Sequence, residues 1–115
     1  MRPLSSREKE IIKAFADRLS EEGRAKLIDD MNNSIVDSVR ADGEVVHFSI
    51  NGYERPPYHG QHSYPTEASV LDSDGEKISI VLFADENDHL LELEFIRWAD
   101  GNIIAPQWNT LHFPF

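Results

Sequence analysis

The sequence predicts an α+β fold: two N-terminal helices packed on one face of an antiparallel β-meander of about six strands. Three observations predict it. Apolar residues recur at helical spacing behind capping serines over the first 31 positions, the pattern becomes β-branched and alternating from Ile35, and three Asp-Gly pairs punctuate the chain beyond that point. At 115 residues and 40% hydrophobic composition the chain can build one modest core. It is therefore expected to form a single domain, with a helical part (1–31), an antiparallel sheet (35–105) and an aromatic tail (106–115).

The first helix is expected over 6–19. Ser5-Ser6-Arg7-Glu8 has capping-box spacing, and Ile11, Ile12, Phe15 and Leu19 mark one face. Ser20 is the second N-cap, Glu21 and Glu22 sit where the helix dipole favours acid, and Asn32-Asn33 ends the run. The pairs Asp42-Gly43, Asp74-Gly75 and Asp100-Gly101 then predict hairpins, because a type I′ turn needs positive φ at both central residues. The expected partners are 35–41 with 44–50, 67–73 with 76–84, and 89–99 with 102–105. Across Asp85-Glu86-Asn87-Asp88, a register summing to 173 sets Leu82 against Leu91, Ile80 against Leu93 and Ile78 against Phe95, with Glu76 opposite Arg97. The other face of that pair carries Val81, Phe83, Leu90, Ile96 and Trp98 beside Glu92 and Glu94. Residues 51–66 form the long loop, with three prolines, two glycines and three tyrosines. Pro106 is expected to confine the last strand to an edge, and the aromatics after it to dock on the body.

Charge narrows function. Eleven basic residues against 21 acidic give −10, which argues against nucleic-acid binding because phosphate neutralisation needs a basic face. Up to Pro57 there are 9 basic and 11 acidic residues; beyond it there are 2 basic (Lys77, Arg97) and 10 acidic, so the halves carry −2 and −8. Zero cysteines exclude disulfides and thiolate metal sites and fit a reducing compartment. No apolar run approaches the ~18 residues of a membrane span, and no leader-like apolar stretch follows Met1, so a cytoplasmic protein without a membrane segment is expected.

Catalytic constellations are weak. His59 and His62 lie three apart in the Pro/Gly-rich loop without a third ligand nearby, and Asp72-Ser73-Asp74-Gly75-Glu76 lacks the spacing of a calcium loop. Glu92 and Glu94 project from one strand face about 7 Å apart, close enough in principle for paired-carboxylate chemistry, but acidic strand residues usually just face water. No metal, cofactor or catalytic residue is expected. The candidate partner-binding residues are Asp72, Asp74, Glu76, Asp85, Glu86, Asp88, Glu92 and Glu94, with Tyr53, Tyr58, Tyr64 and Trp98 as aromatic anchors.

A short acidic chain opening Arg2-Pro3-Leu4-Ser5 and running from Leu91-Glu92-Leu93-Glu94-Phe95 to Asp100-Gly101 resembles small bacterial immunity proteins of contact-dependent growth inhibition and related toxin systems. The resemblance implies an antidote that binds a cognate basic toxin, often a nuclease, as a monomer within a heterodimer. A second expectation is a small-ligand or enzymatic domain with a pocket like that of nuclear-transport-factor-like folds, lined by His47, Tyr53 or Asp37. Its discriminator is Asp37, which a residue sum of 85 sets opposite Phe48 on the face of Ile35 and Val39, where a buried carboxylate would favour chemistry. A third is a homo-oligomer closed through Phe83, Ile96 and Trp98.

Overall fold

The computed structural model describes residues 1–57 and 60–114. Helix α1 (Ser6–Ala16) starts as its sequence dictates: Ser5 Oγ accepts from the Glu8 amide at 3.1 Å while Glu8 Oε1 accepts from the Ser5 amide at 2.8 Å. Arg2 adds a bidentate pair to the same Glu8 carboxylate. The helix stops three residues short of Leu19, with Asp17 as its C-cap. Helix α2 (Glu21–Asn32) follows the N-cap Ser20, whose hydroxyl accepts from the Gly23 amide.

Seven strands come next: β1 (Ser34–Arg40), β2 (Val45–Ile50), β3 (His62–Ser63), β4 (Ala68–Leu71), β5 (Lys77–Ala84), β6 (Leu90–Arg97) and β7 (Gln107–His112). All pairings are antiparallel, and the fold class is the expected α+β. The order across the sheet is β1-β2-β6-β5-β4-β7, with β3 on β5 beyond β4. Successive hairpins are thus not laid side by side. The β1–β2 hairpin joins the sheet through β6, so the chain leaving β2 must cross to the far side of β5.

Registers depart from expectation at two bulges. In the β1–β2 pair, Val36 rather than Asp37 faces Phe48, and the shift falls between Val36 and Ser38. One extra residue at Asp37 reverses side-chain parity. Val36 is buried while Asp37 keeps 42% of its side chain exposed, so the expected buried carboxylate is not formed. In the β5–β6 pair the sum is 175: Leu82 faces Leu93, Ile80 faces Phe95 and Ile78 faces Arg97. A slip of two keeps these residues on the expected face. Toward the turn, however, a bulge sets Leu90 opposite Ala84 and turns Leu90 into the core, which moves Leu91 to the other side.

The strand expected at 102–105 is not formed. The chain instead turns at Asp100-Gly101, passes Pro106 and forms β7 at the opposite edge, against β4. Its aromatics do dock: Trp108 meets Phe95 edge-on with centroids 6.2 Å apart, and Phe113 meets Phe15 at 5.1 Å, with Arg7 over the Trp108 ring and Arg18 over the Phe113 ring. Phe115 lies outside the described residues.

One core lies between the helices and one sheet face, built from Ile11, Ile12, Phe15, Leu27 and Met31 against Val36, Phe48, Val70, Ile78, Ile80, Leu82, Leu90 and Leu93. No helix is long and apolar enough to cross a membrane among the described residues. The bulges make a sharp prediction. Leu90→Ala should cost about 2–5 kcal/mol in urea unfolding, the range for a buried leucine, whereas Asp37→Ala should stay within about 0.5 kcal/mol. Comparable losses at both positions would contradict the registers.

Candidate functional site

Apart from Glu92 and Glu94, the carboxylates expected to meet a partner fall in two groups, at opposite ends of β6. An eight-residue strand at about 3.3 Å per residue separates them by roughly 20 Å. One group surrounds the β5–β6 turn. Asp85 is buried, and its Oδ1 accepts from the amides of Asn87 (2.9 Å) and His89 (3.0 Å), which closes the turn. Its Oδ2 accepts from Tyr53 Oη at 2.7 Å and Arg55 Nη1 at 2.8 Å. Arg55 Nη2 also donates to the carbonyls of Phe48 and Leu90, so this guanidinium ties the long loop to β2, β6 and the turn. Burial pushes the Asp85 carboxyl up, but these donors outweigh it and leave it below the usual range.

Helix α2 grips the turn from the other side. Asp30, buried near its C-terminus, accepts from the Leu90 amide at 3.0 Å and from His89 Nδ1 at 3.0 Å. Lys26 Nζ donates to the Asn87 carbonyl, and the Tyr53 ring packs on His89 with centroids 4.2 Å apart. Asp88 pairs with His62 at 2.8 Å. Glu86 alone in this group is exposed without a hydrogen-bond partner among the described residues.

The second group is organised by Arg97, whose side chain is only 6% exposed. Its Nη1 donates to Asp72 Oδ2 (2.8 Å) and Asp74 Oδ1 (2.9 Å), and its Nη2 to Asp74 Oδ2 (2.7 Å). Asp72 is fully buried and also accepts from the amides of Ser73, Ile104 and Ala105. It thereby folds the 98–106 segment back on the β4–β5 turn. Burial raises its carboxyl, the amides and Arg97 lower it further, and it ends below its ordinary value. The hydrogen bond from Arg97 holds Asp74 down at about 2. The expected Glu76–Arg97 contact is replaced by this cluster.

Between the ends, on the sheet face away from the helices, Glu92 is buried beneath an ion pair with Arg40 at 2.6 Å, while Glu94 is half-buried opposite Val81. Asp72, Asp85 and Glu92 are therefore interior fastenings rather than contact residues. Asp74 and Asp88 reach solvent but already hold Arg97 and His62. Glu76, Glu86 and Glu94 remain. Tyr53 is committed to Asp85, and Tyr64 packs on the core, where burial pushes its hydroxyl up and keeps it neutral. Tyr58, and His59 of the considered histidine pair, lie outside the described residues.

Trp98 is 68% exposed, and its indole donates to Ser79 Oγ at 2.9 Å. Leu71 and Ile104, also exposed, lie at the same end of the sheet and had no signal in the sequence beyond apolarity. A cleft of about 170 Å³ runs between His47 and Leu91 on the outer face and Arg55, Pro56 and Gln61 of the loop. His47 Nδ1 is buried there without a hydrogen-bond partner among the described residues, 3.6 Å from Asp37. Among the described residues no group of three or more His, Asp or Glu is disposed to hold a metal ion.

Carboxyls depressed in the folded state contribute stability that is complete above their unfolded value near 3.9 and is lost as pH falls through the folded value. Stability should therefore fall as the pH drops below about 4, with Asp74 taking up its proton at about 2 and Asp72 and Asp85 below their ordinary range. In Arg97→Met, urea midpoints should be lower at neutral pH and should change less over that acid interval. Parallel curves for wild type and variant would refute the assignment.

No curated protein and no solved structure matches the chain. A family model does match residues 1–106, which span both helices and the first six strands. The chain belongs to the family described as a domain of unknown function, DUF6984.

Proposed function

We propose that this protein is an antidote: a cytoplasmic binding protein, without catalysis of its own, that docks on a basic protein toxin and neutralises it. The observation that carries the reading is the division of its carboxylates. Beyond Pro57, five of the ten acids hold an arginine or histidine of the same chain (Asp72 and Asp74 on Arg97, Asp85 on Arg55, Asp88 on His62, Glu92 on Arg40). Glu67, Glu76, Glu86, Glu94 and Asp100 form no side-chain ion pair among the described residues, and Lys77 is the one cation of that half not engaged by a carboxylate. In that half the fold thus encloses its one arginine and leaves five carboxylates without an ion pair among the described residues.

A rigid sheet edged with unpaired carboxylates matches the field of a toxin whose active groove binds phosphates, such as a nuclease. Association would be accelerated by that field and slowed by salt. The exposed position of Asp37 removes the buried acid on which an enzymatic pocket would depend.

The reading is tested by expressing the product of the neighbouring gene with and without this chain. Growth arrest relieved by co-expression is expected, with a purified complex whose association rate drops by roughly tenfold or more between low and physiological salt. Normal growth with the neighbour alone, together with no complex, would sink the proposal.

A further inference from the structure

Resting on the antidote reading and sharpening it, we infer that the docking centre is the corner of the sheet where Trp98 and Leu71 of the outer face and Ile104 of the 98–106 segment come to the same end. The occupant it fits is a basic protein surface with an apolar centre.

Trp98 is the centre of this corner. A large aromatic normally either contributes to the core or packs against a neighbour, yet this one is 68% exposed. It is also not loose. Its indole N–H is fixed to Ser79 Oγ, and its amide is bound to the Lys77 carbonyl, so side chain and backbone are both tied to β5. Ser79 is 1% exposed and sits directly opposite Ser69, itself buried. Two small residues on adjacent strands give the outer face a shallow seat at this point, where larger side chains would lift the ring. An aromatic held in one orientation before binding loses little rotamer freedom on contact, which is the property of an interface anchor.

Its neighbours are positioned by the Arg97 cluster. Leu71 immediately precedes Asp72, and Ile104 donates its amide to the Asp72 carboxylate. The buried carboxylate therefore holds two further exposed apolar residues at the end of the sheet where the indole stands, with Lys77 between Leu71 and Trp98 in the register. Glu76 and Asp100 lie in the turns at this end and Glu94 on the outer face of β6, with Lys77 as the single cation among them. An apolar centre with a carboxylate rim selects a partner of opposite charge. A second copy of this chain is a poor occupant, since two molecules of −10 would bring like rims together.

The test uses the complex of the full chain with the neighbour-encoded basic protein, followed by surface plasmon resonance or stopped-flow mixing. Trp98→Ala and the double variant Leu71→Ser/Ile104→Ser should each weaken binding by about 30-fold or more, chiefly through faster dissociation, with urea midpoints near wild type because these side chains are exposed. Glu94→Gln/Asp100→Asn should slow association several-fold and flatten its salt dependence while leaving dissociation little changed. If wild type binds and the Trp98 and Leu71/Ile104 variants bind equally well, this surface is wrong though the antidote reading stands. If Trp98→Phe, which keeps an aromatic body but lacks the N–H, retains most of the affinity while Trp98→Ala does not, contact rather than folding is responsible. Light scattering that shows a dimer of the free chain abolished by Trp98→Ala would assign the patch to a second copy and overturn the inference. Absence of any complex with wild type would overturn both readings together.

Discussion

Between β2 and β4 the chain leaves the β1–β2 hairpin, passes the β5–β6 turn and re-enters the sheet beyond β5. The salt bridge of Arg55 to Asp85 fixes that path. The guanidinium has five donors in a planar fork, and here they reach a carboxylate and two carbonyls on three separate segments. Asp85 in turn shapes the turn that inserts the bulge in β6, and that bulge decides which leucine enters the core. This fastening adds to the β2–β6 ladder, in which Val46 faces Leu93 in the core. Breaking such a pair from one side leaves an uncompensated charge in the interior, which costs more than the pair contributes when intact.

The same device recurs elsewhere. Arg97 and Asp72 at one end, Arg40 and Glu92 on the outer face, and Arg2 and Glu8 at the first helix each join segments distant in sequence or seal a chain terminus. Of these arginines Arg97 is enclosed, while Arg40 and Arg2 cover a buried carboxylate from the solvent side. The consequence is a molecule whose net charge is high but whose accessible carboxylates form a smaller and more defined set than the composition implies.

Local chemistry is legible in the residues. Ser5 with Glu8 and Ser20 before Glu21 announce helix starts because caps act within one turn. The alternation of Ile78, Ile80 and Leu82 against Leu93 and Phe95 announces a two-faced strand pair, and a slip of two cannot disturb its faces. Non-local features are not legible in this way. The bulges at Asp37 and near Leu90 each add one residue, which no periodicity forecasts, so alternation alone points Asp37 inward and Leu90 outward. Residues 107–112 hide behind Pro106, although Trp108, Thr110 and His112 alternate with Gln107, Asn109 and Leu111 in the manner of an edge strand. Asp72 and Asp85 read as surface acids because their partners lie 25 and 30 positions away. Of the expected contact residues, Trp98 and Glu94 share the outer face, and only the fold could add Leu71 and Ile104.

The two tryptophans occupy opposite sides of the sheet and contrasting environments. Trp108 is wedged between Phe95 and the Arg7 guanidinium, so its indole senses whether the helices are seated. Trp98 stands in water on the far face, and its emission should respond to whatever displaces that water. The protein therefore carries a built-in pair of fluorophores, a blue-shifted reporter of integrity and a red-edge reporter of occupancy. Substituting either one leaves the other as a single-site probe in an otherwise unlabelled chain.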